Sequence, residues 1–317
     1  FPTRRSSDLF ACNPEYCFPS RVEEVEVLRW AAAQSPADWK ARLYLGNLLA
    51  FLGRREEALT AWREAASIDD HDAVLCRNLA LAHRLWLGNH TAALKWYAKA
   101  IQHRPDEYHL YIERDRALTA RGTTPEERLA CLAAAPEALG RRWEIAAIRV
   151  ECLLQLERWD EAVEIMQTHK FRPWEGARAM HQCWVQALQG RAEARLRAGD
   201  PAGALADYEL ALTYPRNLGV GRSAYPQESA LHWKAAEVAK ALGDETARRA
   251  HLEAAAAEQH PHVCEADLYT LRALRALNRD AEADELAERL KSWAAETLAG
   301  HPDNPLARRV QEEVSAC

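Results

Sequence analysis

The chain has 317 residues, 41 Lys and Arg against 47 Asp and Glu, a formal net charge of -6, and no run of eighteen consecutive apolar residues. This composition excludes membrane-spanning, collagen-like and globally disordered proteins. Charges of both signs alternate along the chain, so we expect neither nucleic acid nor a membrane as a partner. Only 13 Gly and 14 Pro are present, too few for the many turns of a β-rich fold, and we predict mainly helices.

The first 37 residues divide into two parts. The sequence FPTRRSSDL at 1–9 resembles a peptide translated from a sequencing adapter, and position 1 is not Met. We therefore expect 1–9 to be an artefact without fixed structure, and the chain to be the C-terminal part of a longer protein. Residues 10–37 form an N-terminal segment and a capping helix, because Ser20 and Glu23 match a capping box that begins a helix extending to about Gln34.

A helix-turn-helix pattern begins at residue 38. With Trp39 as position 1, the residues at positions 8, 15, 20, 24 and 27 are Gly46, Gly53, Ala58, Trp62 and Ala65. Small residues allow the helices to approach closely, the second glycine ends the first helix in a left-handed conformation, and the aromatic ring fills the space between helices. The next unit repeats this spacing from its turn onwards with Gly88, Ala93, Tyr97, Ala100 and Pro105.

These two units resemble tetratricopeptide repeats. The resemblance implies an all-α, right-handed superhelical solenoid of stacked helical hairpins, in which each hairpin buries its apolar face against the next. Weaker copies continue along the chain, and in one of them Asn278 replaces the turn glycine. We predict about seven hairpins over 38–300, ending in a long amphipathic helix at 281–300. The polar tail, 301–317, has little to bury and is expected to fray.

Two segments between repeats are longer than a turn requires. They lie at 169–176 and 214–221 and combine aromatic residues with Pro and Gly. One interpretation is that their aromatic rings fill gaps between imperfect repeats. The other is that they form a docking or ligand-facing surface, since insertions between repeats tend to project from one face. The candidate residues of that surface are Phe171, Trp174, Glu175, Tyr214 and Asn217.

A narrower resemblance rests on LYLGNLL at 43–49, KFRPWEG at 170–176 and YPRNLG at 214–219. Over about 10–290 the chain resembles the C-terminal repeat region of a bacterial family. Its members have an N-terminal β-rich domain of unknown function and are often encoded near carbohydrate-utilisation genes. The resemblance implies that activity resides in that other domain and that Trp174 and its neighbours face it or a ligand. The chain has Ala-Arg-Ala at 177–179 where the family has a glycine-rich continuation.

A second candidate surface lies on the first helices of the early hairpins. Repeat positions 2, 5, 9 and 12 place polar side chains together there, namely Lys40, Asn47, Arg77 and Arg84. Such donors hold a carboxylate through charge-assisted hydrogen bonds, as in carboxylate-binding adaptors. The alternative is that they are solvated charges on a helix face.

Neither the histidines nor the cysteines of the chain form a recognisable chemical motif. The 12 His are scattered, the 8 Cys include no C-x-x-C pair, and no phosphate-binding loop or nucleophile elbow is present. We therefore predict no catalytic residues, metal or cofactor, no disulfide framework and a cytoplasmic location.

Three functional hypotheses follow. The first is a non-enzymatic scaffold that binds a protein segment or its own missing N-terminal domain. The second is one wall of a carbohydrate-active or carbohydrate-binding protein. The third is an adaptor that binds the carboxylate of a peptide.

Overall fold

The computed structural model describes residues 12–13, 18–172 and 178–315. These residues contain seventeen α-helices, one short 3-10 helix and no β-strand, which confirms the predicted all-α class. None of the helices in these ranges combines the length and the apolar composition needed to cross a bilayer. The chain divides into two compact units, Phe1–Cys152 and Leu153–Cys317, and each is described separately.

In unit 1 the helices follow one another with short connections. They are α1 (Glu24–Gln34), α2 (Trp39–Phe51), α3 (Arg55–Ile68), α4 (Ala73–Leu85), α5 (His90–His103), α6 (Tyr108–Ala120), α7 (Pro125–Ala133) and α8 (Glu137–Gly140). Helix α9 (Trp143–Gln155) begins in unit 1 and ends three residues beyond its boundary. Helices α2 and α3 form one hairpin, and α4 and α5 form the next.

In unit 2 the described helices continue the same alternation. They are α10 (Trp159–Thr168), α11 (Arg178–Arg197), α12 (Pro201–Ala211), the 3-10 helix (Arg216–Leu218), α13 (Ser229–Leu242), α14 (Glu245–Ala256), α15 (Ala266–Ala276), α16 (Asp280–Gly300) and α17 (Pro305–Ser315). Hairpins are formed by α11 with α12, α13 with α14, and α15 with α16. The count of seven hairpins over 38–300 stays a prediction, because α9 lies across the boundary between the units.

The first hairpin shows why these residues fold as they do. The Asp38 carboxylate accepts hydrogen bonds from two main-chain N–H groups in the first turn of α2, which fixes the start of the helix. Gly53, with φ +78°, takes the left-handed conformation that ends the hairpin's first arm. A Cβ atom on Gly46 would lie 2.4 Å from the Trp62 ring, so this close approach requires glycine. Asn278 has φ +57°, as predicted for a residue that replaces the turn glycine.

Helix α1 begins later than the capping box predicts. Its first residue is Glu24 rather than Ser20, and the Glu23 side chain makes no capping hydrogen bond. The Glu24 carboxylate instead accepts from the main-chain N–H groups of Ser20 and Arg21, at 2.9 and 3.0 Å. The acidic residue that bonds back to the main chain before the helix is therefore Glu24, one residue after the Glu23 of the predicted capping box.

The tail expected to fray is a packed helix over 305–315. Ala307, Val310 and Val314 of α17 are buried on one stripe against Leu290 and Ala294 of α16. Polar residues dominate α17 by number, but three apolar residues at spacings of three and four are enough to form a buried face. The prediction that the tail has little to bury is wrong for this helix.

Each unit also contains an arginine-aspartate ion pair with a buried carboxylate. In unit 1 Arg128 donates two hydrogen bonds to the Asp115 carboxylate, at 2.8 and 2.7 Å, with both side chains buried. Removing one member of this pair leaves a buried charge without its partner, which strongly destabilises a fold. In unit 2 Asp207 accepts from the partly buried Arg191 in the same two-point manner, and it is also paired with Arg195 at 3.0 Å.

Candidate functional site

The first helices of the hairpins in unit 1, α2, α4 and α6, present the surface on which binding residues were predicted. We call it the helix-A surface and define it by Lys40, Tyr44, Val74, Arg77 and Leu110. A stretch of main chain from outside the repeats lies against it. The Cys12 carbonyl oxygen accepts a hydrogen bond from Lys40 Nζ at 3.2 Å and another from the Tyr44 hydroxyl at 3.1 Å.

Next to this contact is a cavity of about 370 Å³. Its described lining combines apolar and charged residues, namely Phe18, Ala73, Val74, Arg77, Arg104, Glu107, His109 and Leu110. A second cavity of about 190 Å³ shares Ala73, Val74 and Arg104 with the first and is also lined by Asn13. The described residues 12, 13 and 18 of the N-terminal segment therefore all lie along the helix-A surface or its cavities.

Arg77 is the predicted residue that the structure places in this cavity. Its guanidinium donates to both oxygens of Glu113, at 2.9 and 2.5 Å, which raises the pKa of Arg77. The Arg77 side chain is still 40% exposed and lines the cavity. The described lining also holds Arg104, Glu107 and His109, and His109 Nδ1 lies 2.7 Å from the Glu107 carboxylate.

Asn47 and Arg84 have other surroundings. The Asn47 side-chain oxygen accepts from Trp62 Nε1 at 3.0 Å and from Asn78 Nδ2 at 2.8 Å, so it connects α2 to α3 and α4. Arg84 is absent from the described lining of both cavities and lies beside Tyr97, whose pKa is raised by burial and lowered in part by Arg84. The structure therefore does not assemble the four predicted donors into one carboxylate site.

In unit 2 the two long segments between repeats contact each other. The main-chain N–H of Phe171 donates to the Asn217 carbonyl oxygen at 2.7 Å. The Asn217 side chain donates to the carbonyl oxygens of Met166 and His169, at 2.6 and 2.9 Å. Phe171 is only 2% exposed. Its predicted place on an exposed docking patch is wrong, because the contact with the second segment turns its ring into the core.

Tyr214 is held by side chains of unit 2. Its ring stacks on His181 with centroids 3.9 Å apart, and its hydroxyl donates to Glu228 at 2.7 Å. Burial and this hydrogen bond to a carboxylate raise the pKa of Tyr214. Glu228 is itself paired with Arg222 at 2.5 Å. Trp174 and Glu175, the other predicted docking residues, lie outside the described residues.

A similar helical architecture is found in solved structures. One match, Naa15/Naa10 bound to HypK-THB, covers 96% of this chain at 16% identity and a TM-score of 0.53. The chain spans 44% of the length of that matching chain. At this identity the likeness concerns the fold alone. It extends over almost all of the helical hairpins, whose turns and close contacts keep the repeat spacing described above. The fold is of the tetratricopeptide type.

Two further structures are tetratricopeptide repeat proteins by name. YrrB, described as having an unusual peptide-binding site, matches 59% of this chain and 92% of its own at 17% identity and a TM-score of 0.43. A tetratricopeptide repeat protein from Parabacteroides merdae matches 76% of this chain and 87% of its own at 17% identity and a TM-score of 0.40. No protein-family model matches the chain.

Residues of the helix-A surface that the sequence did not reveal include Cys12, Phe18 and Tyr44. Tyr44 is at repeat position 6, outside positions 2, 5, 9 and 12, from which the candidate residues were taken. Cys12 and Phe18 lie outside the tetratricopeptide pattern, and spacing within a repeat carries no information about what lies against it. The apolar Phe18 beside a short polar stretch is the one sequence signal that points towards this contact.

Proposed function

We propose that unit 1 binds an extended protein segment on its helix-A surface. The observation that supports this is the Cys12 carbonyl oxygen, which accepts from both Lys40 and Tyr44. These two donors are spaced along one helix face so that a single main-chain oxygen satisfies both. A surface that holds one stretch of polypeptide in this way has the groups needed to hold another.

The neighbouring cavity defines the class of segment. Val74 and Leu110 provide an apolar wall, and Arg77 provides a cation beside it. A side chain such as Leu or Phe next to a carboxylate matches both features, through burial of apolar area and a charge-assisted hydrogen bond. The ligand we propose is therefore an extended segment with an apolar residue adjacent to Asp, Glu or a C-terminal carboxylate.

The test uses the full chain and fluorescently labelled peptides that carry Phe-Asp or a C-terminal Leu, with anisotropy as the readout at low salt. Lys40→Met and Tyr44→Phe each remove one side-chain donor to a main-chain oxygen and should weaken binding about fivefold, as expected for about 1 kcal/mol per hydrogen bond. Arg77→Met should weaken binding and reduce its salt dependence. Lys95→Met is the matched control, because Lys95 is exposed on α5, the second helix of its hairpin.

Equal binding by wild type and by all three helix-A variants would contradict the proposal. So would failure of both peptide classes to bind at low ionic strength. If the salt dependence of peptide binding is unchanged in Arg77→Met, the carboxylate of the peptide does not bind next to Arg77.

Two of the residues predicted to dock against another domain are engaged inside unit 2. Phe171 is buried and Asn217 holds main-chain oxygens of the neighbouring segment, so neither offers a free contact group. Docking and carbohydrate contact through Trp174 and Glu175 remain predictions of the sequence resemblance, and the cytoplasmic location remains a prediction from the cysteine pattern. Trp174→Ala in a longer form of the protein, compared with Trp30→Ala on the exposed face of α1, would test the docking hypothesis.

A further inference from the structure

A buried group of His, Cys and Asp side chains lies in unit 2, between α14 and α15. His260 and Cys264 belong to the connection that follows α14, and Asp267 is in the first turn of α15. Each of the three offers one potential ligand atom, and the three atoms lie within 4.8 Å of one another. His260 is 7% exposed and Asp267 is 1% exposed, so the group is enclosed rather than part of a solvated acidic surface.

The His260 ring is oriented by a main-chain oxygen. Its Nε2 lies 3.1 Å from the Pro226 carbonyl oxygen, which accepts a hydrogen bond when the imidazole carries its proton on Nε2. The other ring nitrogen, Nδ1, is directed at the Asp267 carboxylate, 3.2 Å away. Histidines that bind metals are held in this way, with one nitrogen donating to a carbonyl or carboxylate and the other facing the ion.

The carboxylate of Asp267 is fixed from two other directions. One oxygen accepts from the main-chain N–H of Cys264 at 2.8 Å, and the other accepts from Arg289 at 2.9 Å. The first bond ties the carboxylate to the residue that carries the thiol, so the two ligand atoms are positioned by the same turn. Outer-shell hydrogen bonds of this kind orient metal-binding carboxylates.

The charges around this group are acidic on balance. The Asp267 and Glu258 carboxylates are both buried, and the Glu258 carboxylate lies 3.4 Å from His260 Nε2. The cation paired with Asp267 is Arg289, whose side chain is 52% exposed. The Cys264 thiol, whose pKa is raised by burial, would release its proton to solvent on binding a metal ion, and the ion would balance the thiolate charge.

We propose that His260, Cys264 and Asp267 form a binding site for a divalent transition-metal ion, with Zn²⁺ as the best match. Mixed nitrogen, sulfur and oxygen ligands suit Zn²⁺, whereas a thiolate disfavours Mg²⁺ and Ca²⁺. Zinc–ligand distances of about 2.0–2.3 Å bring tetrahedral ligand atoms to about 3.5 Å from one another. Atoms at most 4.8 Å apart reach that spacing by small side-chain rotations, and the fourth position is left for water.

The bound ion would join the connection after α14 to α15. The Pro226 and Arg289 contacts extend this junction to the start of α13 and to α16. This chain has neither a C-x-x-C pair nor a pair of histidines four residues apart on a helix, the patterns that would have predicted a metal from sequence. The three residues have the spacing His-x3-Cys-x2-Asp, which runs from a loop into the first turn of a helix. Their side chains come together only because the chain turns there.

The test is a titration of the chelator-treated, reduced full chain with Zn²⁺ and separately with Co²⁺. We expect one tight equivalent of Zn²⁺ by calorimetry, a rise in the thermal midpoint, and a thiolate-to-cobalt charge-transfer absorption with Co²⁺. Cys264→Ser should abolish that absorption and weaken Zn²⁺ binding at least tenfold. His260→Gln should weaken it to a similar degree.

Matched controls separate this site from other metal-binding groups. Cys131→Ser alters a partly buried thiol in unit 1, and His262→Gln alters an exposed histidine two residues from His260. Both should bind Zn²⁺ as wild type does. The proposal is overturned if no stoichiometric binding occurs, or if Cys264→Ser, shown by circular dichroism to be folded, binds Zn²⁺ with wild-type affinity. Because His260→Gln also loses the contact with Pro226, Cys264→Ser is the deciding variant.

Discussion

The helix-A surface of unit 1 and the paired segments of unit 2 were both predicted as binding surfaces, and they differ in how their polar groups are used. On the helix-A surface, Lys40 and Tyr44 share a carbonyl oxygen of a segment outside the repeats, and a cavity lies beside them. In unit 2, the Asn217 side chain donates to the carbonyl oxygens of Met166 in α10 and of His169 in the neighbouring segment.

The difference has a physical origin. Residues at the exposed positions of a repeat helix project away from the hairpin, so they are available to whatever lies across that face. Residues of a long connection must satisfy their own main-chain groups first. In unit 2 the second segment satisfies them, and Phe171 is drawn into the interior as a result. An aromatic residue in an inter-repeat insertion is therefore weaker evidence for a binding surface than a cation at an exposed repeat position.

The largest effect is expected for Phe171, the buried aromatic residue of the unit 2 segments. Phe171→Ala should reduce the free energy of unfolding by about 3–5 kcal/mol, since it removes a buried aromatic ring and leaves a cavity. Urea unfolding followed by circular dichroism measures this change. Phe51→Ala, at a ring that is 70% exposed in unit 1, is the control and should change stability by less than about 0.5 kcal/mol. Equal effects of the two substitutions would mean that Phe171 is not part of the core.

Lowering the pH should also reduce the stability of unit 2, through His232. Burial, together with the positive charge of His251, lowers the pKa of His232 from 6.5 to about 4. His232 is therefore neutral in the fold, while the unfolded chain takes up a proton near pH 6.5. The unfolded state then binds more protons, and stability falls as the pH drops from about 6.5 towards 4.

Each unit of pKa shift corresponds to about 1.4 kcal/mol of stability, which sets the upper limit of the loss on acidification. Because His232 is only partly buried, we expect about half of that limit, or about 2 kcal/mol. The measurement is urea unfolding at pH 7 and at pH 4.5. His232→Gln should flatten the pH dependence, whereas His109→Gln, an exposed histidine of the unit 1 cavity, should leave it unchanged. An unchanged slope in His232→Gln would exclude this residue as its source.

Asn47 tests whether a predicted binding residue is a structural one. Asn47→Ala removes the acceptor for Trp62 and Asn78, and we expect a loss of about 1–2 kcal/mol because two partly buried donors lose their partner. The exposed Gln102→Ala is the control in the same urea experiment. If Asn47→Ala leaves stability unchanged but weakens peptide binding, Asn47 belongs to the binding surface after all.

The smallest effect concerns Arg77 and Glu113. Their ion pair is partly exposed, so a double-mutant cycle with Arg77→Met and Glu113→Gln should give a coupling energy below about 1 kcal/mol. A small coupling in stability, together with a large effect of Arg77→Met on peptide binding, would separate the two roles of Arg77. A coupling above about 2 kcal/mol would instead identify the pair as structural.

Local rules predicted the repeats well. Gly53 and Asn278 have the left-handed conformations that the pattern requires, and Gly46 lies against Trp62 as the small residue at position 8. These outcomes depend on residues that are neighbours within one hairpin. The start of α1 was misplaced because Glu23 and Glu24 are both acidic and either one can reach back to the preceding main chain.

Features that depend on distant neighbours were not predictable in the same way. Helix α17 forms because α16 offers a matching apolar stripe, which the composition of the tail alone does not show. The pairing of Asp115 with Arg128 spans two helices, and each residue alone is typical of a solvated face. The burial of Phe171 required knowing that residues 217 and 171 meet, although they are far apart in sequence.

The hydrogen bonds to the Cys12 carbonyl oxygen have a consequence for selectivity. Every amino acid in a polypeptide carries the same carbonyl group, so Lys40 and Tyr44 grip a backbone without distinguishing one residue from another. If the proposed segment binds there, discrimination between segments depends on the adjacent cavity, which Arg77 and Leu110 line. Substitutions in the cavity should then change which segment binds while the hydrogen bonds to its backbone are kept.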